Sequence, residues 1–382
     1  MVRVLLMLVA LCACAPASMS DAGVDAGFVP THTRLLGLND VTFLLPLESL
    51  DAGSPFPNPF EVIPFASFDR LSSAAPVVRT DLSRLRLLGL RFDLCDRAAP
   101  VPCAEAADGV FRLVLQPVYG SPARVEDVAF HGFFPVPRAE VPEVVDELRA
   151  LAELQDVPRA GALRVNTSFL SNDAYRERLG ALVSQYAQAS RLYRLTLFGQ
   201  ETERAAIVWI FRGEERVGSG GLGPIELPGA LGTQQEVLLF GGDSYQLTPL
   251  ADVPTGFSRA VMESSFRNAL PSEQLQAVQG LAAVDNPLLH TAGTVQCASC
   301  HLSTTLLPPR VADAGIDLGT LDEVYRAPLF DQTPLGPQNL RFRTLRALGY
   351  FVDTPLVSQR VINETANVLS ELEQRFPPPS GK

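Results

Sequence analysis

The chain has 382 residues, more than one ordinary core accommodates, so two domains are the default expectation. Its 47% hydrophobic and 19% charged content describe a globular protein and exclude a disordered or fibrous one. With 31 basic against 42 acidic side chains the net charge is -11, which argues against nucleic-acid binding and suits a soluble or surface-tethered acidic protein.

Met1-Val2-Arg3 is followed by the apolar run Val4 to Ala13. A charged start and an apolar core too short to span a bilayer make residues 1–13 an expected export signal. The run closes on Leu11-Cys12-Ala13-Cys14, which resembles the lipobox of bacterial lipoproteins. That resemblance implies cleavage before Cys14, acylation of Cys14 and a membrane anchor. Ala15, where inner-membrane lipoproteins often carry Asp, favours the outer membrane. A plain secretory signal cut between Ala15 and Ser20 is the alternative. Residues 14–33 are small and polar, with Asp-Ala-Gly repeated at 21–27, and read as a flexible tether. Such spacers resemble those of myxobacterial lipoproteins.

Residues 34–250 carry strand signals at 41–47, 85–94, 110–118, 128–136, 192–198, 206–211 and 236–240, between Pro, Gly and Asp punctuation. Several of these runs are almost continuously apolar, as in strands covered on both faces. Helical periods run over 141–154 and 175–189. The expected fold is therefore an N-terminal α+β, β-rich domain. An exported chain sits in an oxidising compartment, so Cys95 and Cys103 are expected to form a disulfide closing a short loop. Two free buried thiols are the alternative. Gly218 to Gly223 matches G-x-G-x-x-G, but Pro224 and Pro228 follow too closely for the helix a dinucleotide loop requires, so it reads as a turn.

Past Pro254 the character becomes helical. Helices are expected over 258–270 and 272–280, the second capped by Ser272 and ended by Gly280. Residues 286–296 form a connecting loop, 302–355 look irregular, and Pro355 opens an amphipathic helix running to Phe376. The tail 377–382 is expected to be disordered.

Within this half stands Cys297-Ala298-Ser299-Cys300-His301. Two thiols three residues apart share one side of a helical turn, where each can add to one vinyl group of a porphyrin. The next residue is an imidazole placed for the iron. This C-x-x-C-H is the attachment signature of c-type haem. Together with the helices around it, residues 255–376 resemble a monohaem cytochrome c domain. The resemblance implies one covalent haem held by Cys297 and Cys300, His301 as proximal ligand, and a mainly α C-terminal domain. It also implies electron transfer with a redox partner protein of the envelope.

Two departures from that family matter. No methionine follows His301 to supply the sixth ligand. His290, 11 residues earlier in a loop, is the candidate among protein groups; Met262 and an open or non-protein sixth position are the alternatives. His131, inside Phe130-His131-Gly132-Phe133-Phe134, reads as a packing histidine, and His32 belongs to the tether. In the common form a proline carbonyl after the motif orients the proximal imidazole. Pro308 and Pro309 are the residues available here, without the usual preceding glycine.

Rival chemistries fit less well. A dithiol redox centre needs a strand ahead of C-x-x-C, whereas Gln296 and a loop lead in. Structural zinc needs four ligands, and no second C-x-x-C exists. A haem enzyme or gas sensor with an open sixth site, and an envelope binding protein with auxiliary haem, are the alternatives to an electron carrier.

Overall fold

A computed structural model describes residues 31–50, 55–73, 81–95, 107–155, 157–201, 206–218, 221–229, 232–242, 244–336 and 345–378. The expected signal, Cys14 as the expected lipidation site, the repeats at 21–27 and Cys103 lie outside these residues. Cys95 is disulfide-bonded, as expected, with its expected partner among the residues not described. Thr31 and His32, assigned to the tether by composition, are instead held on the folded body. Their main-chain N–H groups donate to Asp146 at 3.0 and 2.9 Å, and His32 Nδ1 lies 2.8 Å from Glu153.

The first part of the chain contributes α1 (Leu38–Val41), β1 (Thr42–Leu44), α2 (Pro59–Val62), α3 (Phe65–Ser73), β2 (Leu85–Leu94), β3 (Ala107–Tyr119), β4 (Arg124–Val125) and β5 (Val128–Pro137). There follow α4 (Val141–Glu153), α5 (Ser168–Ser171), α6 (Asp173–Tyr186), β6 (Arg194–Glu201), β7 (Val208–Arg216), β8 (Leu222–Pro224), β9 (Gln234–Gly241) and β10 (Ser244–Thr248). Among the described residues these ten strands form one antiparallel sheet, ordered β1-β2-β3-β5-β6-β7-β9-β10, with β4 on β3 and β8 on β7. The strand expected over 41–47 is cut to Thr42–Leu44, because the Gly37 N–H donates to Asp40 at 2.7 Å and closes a helical turn just before it. A strand, β8, follows Gly218 to Gly221, so the helix a dinucleotide loop requires is absent there.

Alternation along each strand sends side chains to two faces, and both are covered. On one face Phe130 meets Phe68 of α3 and Phe111 meets Tyr186 of α6, at centroid distances of 4.9 and 5.4 Å. On the other, Phe198, Trp209, Phe211, Val237, Tyr245 and Leu247 pack with the C-terminal helices. Burial on both faces explains why the runs over 41–47, 110–118 and 128–136 are nearly continuously apolar.

The C-terminal part holds α7 (Phe257–Val261), α8 (Glu263–Arg267), α9 (Pro271–Asp285), α10 (Cys297–Ala314), the hairpin β11 (Leu348–Phe351) and β12 (Thr354–Val357), and α11 (Gln359–Arg375). Four expectations are corrected here. The helix over 258–270 is broken at Met262, whose extended backbone (φ -104°, ψ 117°) starts α8, with the Glu263 N–H donating to Ser244 Oγ at 3.1 Å. Gly280 does not end its helix: α9 runs on to Asp285, and a Cβ at 280 would lie 2.9 Å from the Thr255 carbonyl, so this glycine serves close packing. The stretch after the motif is irregular only past Gly315 (φ 63°), because α10 continues through Pro308 and Pro309 to stop there. Pro355 belongs to β12, and the last helix is instead capped by Ser358, which accepts from the Val361 N–H.

The hydrophobic core does not divide at residues 250–255. Val361, Ile362, Ala366, Leu369 and Leu372 of α11 join the cluster built on β2, β3 and β5. Phe198, Trp209 and Phe211 join the one beneath α7, α9 and α10. Among the described residues no helix is long and apolar enough to cross a membrane.

Candidate functional site

The motif occupies the first turn of α10, and that turn is fastened to the sheet by two glutamines. Gln235 on β9, fully buried, accepts from the Ala298 N–H at 2.9 Å and donates to Gln296 Oε1 at 2.5 Å. Gln296, just before the helix, also exchanges hydrogen bonds with the main chain of Ala251 at 2.7 and 3.2 Å. An N–H that a helix start leaves without an intrahelical partner is thus satisfied from the strand. Nothing in the motif hints at Gln235; one of two adjacent glutamines at the start of a strand carries no such signal.

Cys297 and Cys300 are not joined to each other or to another cysteine. Burial raises both thiols, Cys300 to about 12. They are therefore protonated thiols at neutral pH, unlike the low-pKa thiolates of dithiol redox centres. Among the described residues no group of three or more His, Cys, Asp or Glu side chains converges as a structural zinc site demands.

His301 is the most constrained residue of the motif. Its ring stacks on Phe198 at 5.1 Å with 14° between planes, and Phe211 meets it edge-on at 4.8 Å. Its Nδ1 lies 2.5 Å from the main-chain oxygen of Leu345. A carbonyl only accepts, so Nδ1 carries the proton and Nε2 keeps its lone pair. Burial brings His301 down to about 4; the Leu345 bond opposes this, while Arg346 and Arg112 add to it. The imidazole is neutral at pH 7. Pro308 and Pro309, the carbonyls considered from sequence, lie inside α10, and the acceptor comes from the segment leading into β11.

Beside the motif lies a cleft of about 620 Å3, including the part open to solvent, with apolar and charged side chains in its lining. Arg91, Arg112 and Phe133 form its sheet wall, Arg360 and Glu364 of α11 the opposite wall, and Thr291 the rim. The thiols and His301 do not line it; Arg360 and Glu364 connect the two, since both also act electrostatically on Cys300. Glu364 lies 2.5 Å from Arg91 and 2.7 Å from Arg360. Burial alone would raise its carboxyl, yet Arg91, Arg360 and Arg112 hold it well below the usual range. Among the described residues Arg91 Nη1 and Arg112 Nε, both buried, have no hydrogen-bond partner.

The histidines expected to matter are placed as follows. His290 holds Arg360 through its main-chain oxygen at 2.6 Å, while its Nδ1 makes a long 3.4 Å contact with Thr294. No described contact brings it to His301. Met262 sits half-buried at the start of α8 and is likewise not joined to His301. His131 lies on β5 opposite Thr196 of β6, and so shares the sheet face that carries Phe198. The residues present fit a covalent haem: two unpaired thiols one turn apart, a neutral imidazole with Nε2 available, and buried guanidinium N–H groups nearby able to receive carboxylates. No protein-family model matches the chain, and no curated protein or solved structure matches it.

Proposed function

We propose that the protein is an exported c-type cytochrome, anchored in the bacterial envelope through Cys14, that carries one covalent haem and passes electrons to a partner protein there. Residues 255–376 act as the haem-bearing, cytochrome c-like domain, leaning on the β-rich domain 34–250 instead of standing apart. The observation that carries the reading is the 2.5 Å bond from His301 Nδ1 to the Leu345 oxygen. It fixes the imidazole in the tautomer a metal ligand needs and supplies the backing hydrogen bond that tunes ligand basicity.

Cys297 and Cys300 would hold the haem by two thioethers, each thiol hydrogen going to the neighbouring vinyl carbon, so that no oxidant would be needed and nothing would leave. When bound, the haem supplies one-electron exchange between ferric and ferrous iron. The chain's own part is to hold and shield: α10 presents the thiols, Phe198 and Phe211 clamp the imidazole, and no acid–base group is required. The absence of a methionine after His301 predicts a potential below that of His/Met cytochromes.

The test is the intact mass of the mature protein from a host with haem-attachment machinery. The expected mass is that of a polypeptide beginning at Cys14 with its acyl groups and one haem. A polypeptide without haem, from a host that loads other cytochromes, contradicts the reading.

A further inference from the structure

We propose that His131 is the second protein ligand of the iron, so that the sheet and the helical layer each contribute one imidazole. The proposal rests on the cytochrome reading above and deepens it.

The register of the sheet puts His131 in position. Ala129 of β5 lies directly opposite Phe198 of β6, and His131, two residues on, lies opposite Thr196 on the same face. His131 and Phe198 are therefore diagonal neighbours, a relation that spans about 7–8 Å between strands. Phe198 is the ring on which His301 stacks at 5.1 Å. Both imidazoles thus lie next to one aromatic side chain, His131 beside it on the same sheet face and His301 stacked on it from α10.

The environment of His131 argues for a ligand as well. Among the described residues neither of its ring nitrogens has a hydrogen-bond partner. A half-buried imidazole whose nitrogens are not taken up by a hydrogen bond can give one of them to a metal. His290 is engaged with Thr294, and Met262 belongs to a helix start. The remaining histidine, His32, is paired with Glu153. In a run of strand residues otherwise apolar (Phe130, Gly132, Phe133, Phe134), His131 is the one group able to ligate.

The experiment uses the full-length, haem-loaded protein and the variants His131→Ala, His131→Met, His290→Ala and Met262→Leu. Pyridine haemochrome absorbance first counts the attached haem in each. The visible and electron paramagnetic resonance spectra of the untreated proteins then report the ligands. The expected result is a low-spin bis-imidazole spectrum in the wild type, His290→Ala and Met262→Leu. His131→Ala keeps its haem but turns high-spin, binds carbon monoxide, and regains the low-spin spectrum with added imidazole. His131→Met, which keeps a bulky side chain should the alanine variant not fold, acquires a His/Met spectrum and a more positive potential. A low-spin spectrum surviving in His131→Ala, or lost in His290→Ala instead, overturns the assignment while leaving the haem intact. A high-spin wild type overturns it also. A wild type without haem fails at the haemochrome step and sinks the cytochrome reading itself.

Discussion

His301 and Leu345 are tied by a 2.5 Å bond from imidazole Nδ1 to a main-chain oxygen 44 residues downstream. Because the acceptor is a carbonyl, the side chain of Leu345 is not part of the bond, but it is buried and holds that oxygen in place. Leu345→Ala is expected to cost about 2–5 kcal/mol of stability by opening a cavity. It should also shift the potential of the haem-loaded protein by loosening the backing bond. Denaturant titration and a redox titration of the same preparation check both parts. Conversely, His301→Ala is expected to retain the thioethers and lose the wild-type iron spectrum.

Gln235 is the side chain whose loss should most disturb the placement of the motif. Gln235→Ala leaves the Ala298 N–H without its strand partner and removes one of the two donors to Gln296 Oε1. Each buried group left unsatisfied costs about 1–3 kcal/mol. The expected outcome is a lower urea midpoint together with a lower haem yield per polypeptide, whereas the exposed control Gln188→Ala changes neither.

Gly280 offers a steric test of the packing between α9 and the Thr255–Phe257 segment. A Cβ there would lie 2.9 Å from the Thr255 oxygen, which is backbone and cannot swing away. Gly280→Ala is therefore expected to destabilise by about 1–3 kcal/mol despite the better helix propensity of alanine. Thermal unfolding would show it. An increase in midpoint would mean that the two segments are not in contact as described.

Buried Asp285 predicts a pH dependence of definite sign. It accepts from Ser303 Oγ at 2.6 Å and Thr304 Oγ1 at 3.2 Å, and burial raises its carboxyl from 3.8 to about 6. Between those values the folded state binds more protons than the unfolded chain, so this group's contribution is fully present below pH 3.8 and is lost as pH rises through about 6. The loss is at most about 3 kcal/mol. Asp285→Asn removes that dependence, so its stability relative to wild type should improve from pH 4 to pH 7. Urea midpoints across that range check it; a gap that widens instead would contradict the placement of Asp285. Glu364 acts oppositely, since its depressed carboxyl stabilises above its ordinary 4.5 and loses that contribution as pH falls.

Ion pairing behind the motif gives a further test. Arg346 lies 3.0 Å from Asp127 with both side chains almost fully buried, its guanidinium is stacked over Phe198, and Trp209 Nε1 donates to Asp127 at 2.8 Å. Asp127→Ala strands a buried cation beside the ring that clamps His301, with an expected loss of about 3–5 kcal/mol. The double variant Asp127→Leu, Arg346→Met should recover much of it, measured by chemical denaturation.

Legibility followed the range of the interactions. Strand β2 (Leu85–Leu94), the strands around Phe111 and Phe130, and the helix from Val141 to Glu153 were readable because apolar period and flanking turn residues are local signals. The motif was readable because its chemistry is packed into five consecutive residues. What escaped was set by distant contacts: α10 passing through Pro308 and Pro309, α9 passing through Gly280, and α11 joining the core of a sheet some 270 residues earlier in the chain. The Leu345 oxygen escaped because a main-chain acceptor leaves no residue type to read. His131 left a faint trace, a titratable side chain within an aromatic strand, but its partner across the layer is a matter of topology alone.

The most direct measurement is alkylation of the denatured, export-matured protein with a thiol reagent, read by peptide mass at Cys297 and Cys300 alongside the pyridine haemochrome spectrum. The expected result is that neither sulfur reacts and that the haem spectrum, with the absorbance of one thioether-linked group per chain, stays with the polypeptide through acid extraction. Full labelling of both cysteines on a colourless chain, in cells that load their other cytochromes, would contradict it.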